Sequence, residues 1–392
     1  MKPFAALLSL ISVIAATPLL FEGQIPLNSE LAYPGFDLDV NALRLVQTQE
    51  SEEPVWMTEL EKIQLKAQGV KFFDVTESQE LGSSASFKSR IKPSFPVPNA
   101  TEIVKPILKN LSITGPEENL KKFSSFRTRY YRSDTGKQSQ EWLLSRISEI
   151  TAEYASESLR ELITTRVFPH SWSQSSIIVS IKGSSTDDDS VVIIGAHQDS
   201  TNLWPFLPAP GADDDGSGSV TILESYRALI AADFRPARTI EFHWYSAEEG
   251  GLLGSQAIAK DYEARSINVI AMSQFDMTAW VKRGTREEVG IITDFTDEDL
   301  TKFNMALVDL YLDIPYVKTQ CGYACSDHAS WRKAGYPASF TIESSFENSN
   351  KNIHSTNDRI DISDEFSFTH MLEFSKLAVA FAVELGSVKA TD

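Results

Sequence analysis

The chain has 392 residues, 42% hydrophobic and 23% charged, an ordinary globular composition with material for one large domain or two. A total of 36 basic against 54 acidic residues leaves a net charge of −18. That balance excludes a basic nucleic-acid footprint or attachment to anionic lipid, and by itself it names no substrate.

The N-terminus, MKPFAALLSLISVIAATPLL, places one lysine ahead of an apolar run over residues 4–16, with small residues at Ala15, Ala16 and Thr17. This pattern reads as a secretory signal peptide over 1–17. The run is short for a membrane span, and no comparable run follows. A secreted, extracellular product without a membrane or nucleic-acid partner is therefore expected. Asn99-Ala100-Thr101 and Asn110-Leu111-Ser112 are glycosylation acceptors that fit such a route. TELEKIQLKAQG (58–69) carries a capping box, Thr58 with Glu61, and sets Leu60, Ile63 and Ala67 on one helical face before Gly69. GSSASFKSRIKPSFPVP (82–98) is a Ser/Pro linker with Lys88, Arg90 and Lys92. A helix-bearing segment ahead of a basic linker reads as a removable pro-segment over 18–88, leaving the main domain over 89–392.

From about residue 95 strands and helices alternate. QEWLLSRISEITAEY (140–154) predicts an amphipathic helix, and SSIIVSIKG (175–183) and SVVIIGAH (190–197) predict strands. A helix over 219–232, a strand in RTIEFHWYSAEE (238–249), a helix over 251–264 and a strand in INVIAMSQFDM (267–277) follow. VGIITDF (289–295) is another strand, DLTKFNMALVDLYL (299–312) a helix, PASFTIESS (337–345) a late strand and 368–385 a closing helix. Long Val/Ile-rich strands between helices predict an α/β domain with a largely parallel, mixed, twisted sheet flanked by helices on both faces.

Polar groups gather where those strands end. SVVIIGAHQDS ends in His197 and Asp199, RTIEFHWYSAEE in Glu248 and Glu249, and INVIAMSQFDM in Asp276. Ligands of open α/β sheets bind beyond the carboxyl ends of strands, so these side chains can converge. Between the first two lies GADDDGSG (211–218), three adjacent carboxylates between glycines. Cations offset such repulsion, and glycines let backbone approach a crowded site. An EF-hand register fails, because aligning Gly216 with the loop glycine puts Ile222 where a bidentate Glu is needed. With His197 available, mixed nitrogen and oxygen ligation points to zinc or a similar metal, and the number of carboxylates suits two ions sharing one bridge. The only cysteines, Cys321 and Cys325 in CGYACSDH, could hold zinc only with two more ligands; a small local disulfide suits an oxidising compartment better.

AHQDS (196–200), APGADDDGSG (209–218), SAEEGGLLGSQ (246–256), DMT (276–278), CGYACSDHAS (321–330) and the IHS of NIHST (352–356) together resemble the secreted co-catalytic zinc aminopeptidases, in particular the secreted fungal leucine aminopeptidases. The likeness covers residues 110–385 in order, and residues 52–76 resemble the pro-segment of those enzymes. It implies one catalytic domain of the zinc exopeptidase fold. It also implies two zinc ions, one held by His197 and Asp276, the other by Glu249 and His354, with Asp214 bridging. Asp199 would orient His197, Glu248 would act as general base, and Tyr323 would help stabilise the oxyanion. Cys321–Cys325 would be a disulfide and Asp214–Asp215 a cis peptide bond, with Asp213, Asp215, Asp327 and His328 having no ligand role. Met277, Ile292, Phe340, Ile342, Phe346 and Ile353 would wall an apolar pocket for the first residue of a peptide with a free N-terminus, leucine above all. The chain is expected to be a monomer whose other partner is its own pro-segment. Two alternatives on the same fold are a single-zinc glutaminyl cyclase and a binding module without catalysis.

Overall fold

A computed structural model describes residues 34–49, 52–83 and 94–387; the signal peptide over 1–17 and most of the basic linker lie outside the described residues. The N-terminal part forms β1 (Leu43–Gln47), β2 (Val55–Thr58), α1 (Glu59–Ala67) and β3 (Phe73–Asp74), with a small antiparallel sheet in the order β2-β1-β3. Thr58 caps α1, and both arms of the expected capping box are made. The buried face of α1 differs from the sequence reading: Glu59, Lys62 and Ile63 are buried, whereas Leu60 and Ala67 are only partly covered. Lys62 Nζ lies 2.9 Å from Asp74 and 3.0 Å from Glu59, and Arg44 lies 2.7 Å from Asp74, so paired charges line this face.

The main domain begins with helices α2 (Thr101–Leu108), α3 (Thr114–Phe123), α4 (Asp134–Tyr154) and the single turn α5 (Glu157–Arg160). Then follow β4 (Ile163–Phe168), β5 (Ser176–Ile181), β6 (Val191–His197), α6 (Gly218–Ala231), β7 (Thr239–Tyr245), α7 (Leu253–Ala264), β8 (Val269–Phe275) and β9 (Val289–Ile292). α8 (Glu298–Tyr311), β10 (Tyr316–Thr319), α9 (His328–Lys333), β11 (Ala338–Ile342) and α10 (Phe368–Gly386) complete it. The eight strands lie in the order β10-β9-β11-β8-β6-β7-β5-β4. Four of the seven neighbouring pairs are parallel, including the central run β11-β8-β6-β7, and three are antiparallel.

β6 is central, and all seven residues of VVIIGAH are buried. Its side chains alternate between two cores, as strand geometry requires. Val192, Ile194 and Ala196 face the cluster built with α4, α6, α8 and α10, while Val191 and Ile193 face the one built with α7 and Trp331 of α9. Helices on both faces explain why these strands read as unbroken apolar runs. Because β7 and β8 flank β6 in parallel, the residues following all three emerge along one edge of the sheet. That edge carries the polar residues singled out above.

Candidate metal centre

His197 ends β6, Glu248 and Glu249 follow β7, Asp276 follows β8, Asp214 precedes α6, and His354 sits in the loop after β11. The fold brings these six together. His197 Nε2 lies 3.1 Å from Asp214 Oδ1 and 3.6 Å from Asp276 Oδ2. His354 Nε2 lies 3.0 Å from Asp214 Oδ2 and 3.1 Å from Glu249 Oε2. Asp214 thus offers one oxygen to each histidine.

These separations test the fit of a metal. Ligand atoms about 2.0–2.2 Å from a tetrahedral zinc ion lie roughly 3.3 Å from one another. The four distances straddle that edge length, and the donors are those zinc prefers. Further support comes from an orphaned atom, since Glu249 Oε1 is buried without a hydrogen-bond partner, while His197 turns Nε2 toward Asp214 and Asp276 and leaves Nδ1 on the far side of the ring. Asp199 Oδ1 stands 3.5 Å from that Nδ1, the placement of a carboxylate that orients a ligating imidazole. Its two oxygens also accept the backbone N–H of Glu248 and Glu249 at 3.1 and 3.2 Å, so one carboxylate ties the end of β6 to the turn after β7.

Distance alone also groups Asp215 with His197 and Asp276. The hydrogen bonds decide against Asp215 as a ligand. Its oxygens accept three backbone N–H groups, from His197 (3.0 Å), Gly218 (2.8 Å) and Met277 (3.2 Å), and so are committed to joining three elements. Asp213 is likewise committed, to Asn350, Ser217 and the N–H of Ala279. The aspartate triplet therefore splits three ways, with only the middle side chain facing the histidines. The Asp214–Asp215 peptide bond is cis. Glycines permit this crowding: a Cβ on Gly211, whose φ is +54°, would stand 2.4 Å from Ser200 Cβ, and one on Gly218 would stand 2.3 Å from the Phe275 carbonyl oxygen.

The electrostatics call for positive charge. Burial pushes the His197 imidazole down, but Asp276, Asp199 and Asp214 outweigh it and hold its pKa well above the ordinary value. Glu249 is also buried, yet His354 and Lys66 bring it down to about 2. Glu248 behaves oppositely: burial and the carboxylates of Glu249, Asp327 and Asp276 push it well above the usual range, against the pull of His197. Its side chain makes no hydrogen bond among the described residues, in contrast to its neighbour. Cations bound nearby would lower it.

A cavity of about 360 Å³ opens beside these groups. Met277, Phe340, Ile342, Phe346 and Ile353 line it, as does Tyr323. Ile292 departs from the sequence reading. It is fully buried in β9, behind the wall rather than in it. Cys321 and Cys325 are joined in a disulfide beside the cavity, which settles the choice left open by their spacing. His328 packs on Phe340 at 4.9 Å between ring centroids with the rings tilted by 30°, and Asp327 accepts a bond from Gln274 at 3.1 Å, both in supporting positions.

Three contributors carried no signal in the sequence. Asp358 accepts the N–H groups of both Asp213 and Asp214, at 2.9 and 3.0 Å. Arg129 is buried and donates to the carbonyls of Gln198, Pro210 and Gly211, clamping both ends of the loop that delivers Asp214. Lys66 of α1 reaches the centre from the N-terminal segment. Their partners lie 69 to 183 positions away, so no local pattern marks them.

A sequence profile of peptidase family M28 matches residues 176–379. Leucine aminopeptidase 1 of Colletotrichum graminicola is 50% identical over 342 residues, covering 84% of this chain and 83% of that protein. Leucine aminopeptidase 1 of Coccidioides posadasii is 49% identical over 346 residues, 85% of this chain and 87% of its own. Among solved structures, the Legionella pneumophila LapA aminopeptidase superposes with a TM-score of 0.76 at 30% identity, covering 89% of this chain and all of that one. Porphyromonas gingivalis glutaminyl cyclase, at 15% identity and a TM-score of 0.56 over 70% of this chain and 99% of its own, shares the fold alone. With a family match over residues 176–379 and about half of the aligned residues identical to such relatives over most of both lengths, the chain belongs to peptidase family M28.

Proposed function

We propose that this zinc-dependent aminopeptidase is secreted and removes large apolar residues, leucine foremost, from the N-terminus of peptides, using two zinc ions. The observation that carries the two-ion reading is Asp214, whose oxygens approach His197 on one side and His354 on the other at 3.1 and 3.0 Å. His197 and Asp276 would complete one ligand set, Glu249 and His354 the other. When bound, such a pair lowers the pKa of water and polarises the scissile carbonyl.

The chain's own groups supply the rest. Glu248 takes a proton from the attacking water and returns it to the leaving amine. Asp199 holds the His197 ring in orientation and fixes the turn that bears Glu248. Tyr323, whose phenol burial and nearby carboxylates keep protonated, donates to the oxyanion. The five apolar side chains of the cavity receive the first side chain of the substrate. Burying a leucine there contributes about 1.5–3 kcal/mol, whereas an acidic side chain meets desolvation and an acidic centre. Residues 18–88 are proposed as a pro-segment and Asn99 and Asn110, both on exposed positions, as glycosylation sites.

The test is kcat/KM for matched X-p-nitroanilides, with acetyl-Leu-p-nitroanilide as control and zinc counted per chain. Leu, Met and Phe substrates should be cleaved far faster than Asp or Glu, with graded differences of about 10–200-fold per methylene among apolar residues. Equal rates for Leu and Glu overturn the pocket, and cleavage of the acetylated substrate overturns aminopeptidase action. One zinc per chain with cyclisation of N-terminal glutamine would favour the cyclase alternative.

A further inference from the structure

The N-terminal segment does more than cover the cavity. Lys66, Val70, Lys71 and Phe72 form part of its lining, so the segment supplies one wall of the cavity. α1 and β3 lie across the turn after β7. Asp74 receives its backbone contact from that turn, its N–H donating to the Gly251 carbonyl at 3.1 Å, and Gln256 Nε2 donates back to the Asp74 carbonyl at 3.1 Å. Lys62 Nζ points at the Gly250 carbonyl, 3.4 Å away. One turn further along α1, Lys66 Nζ donates to the Glu249 carbonyl at 2.7 Å and to Glu249 Oε2 at 2.5 Å. That same Oε2 is the atom 3.1 Å from His354 Nε2.

We propose that Lys66 is a stand-in cation that closes the Glu249–His354 half of the metal centre while the N-terminal segment is attached, so that the intact chain binds one zinc ion tightly and the second weakly. The inference rests on the two-ion reading above. An ammonium on Glu249 Oε2 competes with a metal for the oxygen nearest His354, and its charge repels a divalent ion brought alongside. The Lys66 and Glu249 side chains are only 15% and 3% exposed, so solvent screening does little to soften that conflict. The other half escapes it. Among the described residues His197 and Asp276 make no hydrogen bond or ion pair with a side chain of the segment, and Asp276 instead accepts a bond from Ser326 at 2.6 Å. Because binding linkage is reciprocal, a second zinc ion weakens docking of the segment by the same factor that the segment weakens zinc.

The test is zinc binding to the intact chain in zinc buffers spanning the affinity range, comparing wild type with Lys66→Met, which keeps the apolar stem, and Lys66→Arg, which keeps the charge. The expected result is saturation at two ions in each, with the second ion about 10–100-fold tighter in Lys66→Met, the span of one charge-assisted hydrogen bond. Lys66→Arg should retain the wild-type deficit. Saturation at two ions with equal affinity in wild type and Lys66→Met overturns the role of Lys66 and leaves the two-ion reading standing. Saturation at one ion throughout overturns the two-ion reading and this inference with it. Should Lys66→Met fold poorly, two equally tight ions on the wild-type intact chain suffice to refute the proposal.

Discussion

Replacing Glu248 by Gln isolates the proposed base with the smallest structural change. Gln preserves the side-chain shape and the backbone N–H that donates to Asp199 at 3.1 Å, so the turn should stay in place. It removes only the ability to accept and return a proton. Nearby carboxylates are poorly placed to substitute. Asp199 spends both oxygens on backbone N–H groups, Glu249 faces His354, and Asp276 faces His197 and Ser326. Loss of a general base lowers kcat by roughly 10²–10⁴, or about 2.7–5.5 kcal/mol of barrier at 1.36 kcal/mol per tenfold. With no second base in reach, the upper half of that range is expected. The assay is steady-state hydrolysis of Leu-p-nitroanilide alongside zinc analysis of the same sample. KM and zinc content should be unchanged, whereas Glu249→Gln should lose zinc. A Glu248→Gln enzyme with full zinc and kcat within a few-fold of wild type would refute the assignment.

Two other substitutions probe the supporting groups. Asp199→Asn replaces one acceptor with a donor facing the N–H groups of Glu248 and Glu249, and should weaken zinc binding about 10–100-fold in metal-buffered titrations; unchanged affinity would contradict its orienting role. His328 is pushed down to about 3 by burial, so the folded chain holds it neutral while the unfolded chain protonates it near pH 6.5. Its folded pKa being depressed, the associated stability is complete above about pH 6.5 and is lost as pH falls toward 3, up to ~2.7 kcal/mol by pH 4.5. Metal-free His328→Phe should therefore melt with a shallower acid dependence than metal-free wild type, and parallel curves between pH 7 and 4.5 would rule this out.

How far the sequence was legible depended on where each element lies in the sheet. β5, β6, β7 and β8 are largely buried on both faces; the Val/Ile runs of β5 and β6 and the apolar, aromatic-rich β7 and β8 therefore read as strands. β4 and β10 are the edges. ITTRVF has four exposed residues of six, and YVKT has none fully buried, so neither shows an apolar pattern. α2 was concealed by Pro106 within a helix of eight residues, and α3 by TGPEENLKKF, whose polar face dominates its composition. The candidate metal centre was legible because strand ends concentrate its candidate ligands: His197 ends a readable strand, and Glu249 and Asp276 each follow one. His354 follows no such element, and only the likeness to a family singled it out.

What stayed hidden is charge paired at long range. In α1 the sequence suggests an ordinary apolar face, yet the buried positions are those of Glu59 and Lys62, satisfied by Arg44 and Asp74 from neighbouring strands. A lysine at position 66 reads as a solvated helix end until Glu249 is brought beside it, 183 residues away in the chain. Periodicity reports which faces avoid water and says nothing about which charges meet inside. Buried pairs add little net stability over apolar packing, but removing one partner strands the other. The Arg44, Glu59, Lys62 and Asp74 pairs hold the segment's own elements together, whereas its seat on the main domain combines the Lys66–Glu249 contact with apolar contacts that include Leu45, Phe73 and Val75 against Leu252 and Ala329, Leu81 in the core beside α7, and Phe36 against Tyr130. The same fit that seats the segment places the Lys66 ammonium on Glu249, and the opposition we propose between docking and metal loading runs through that single carboxylate.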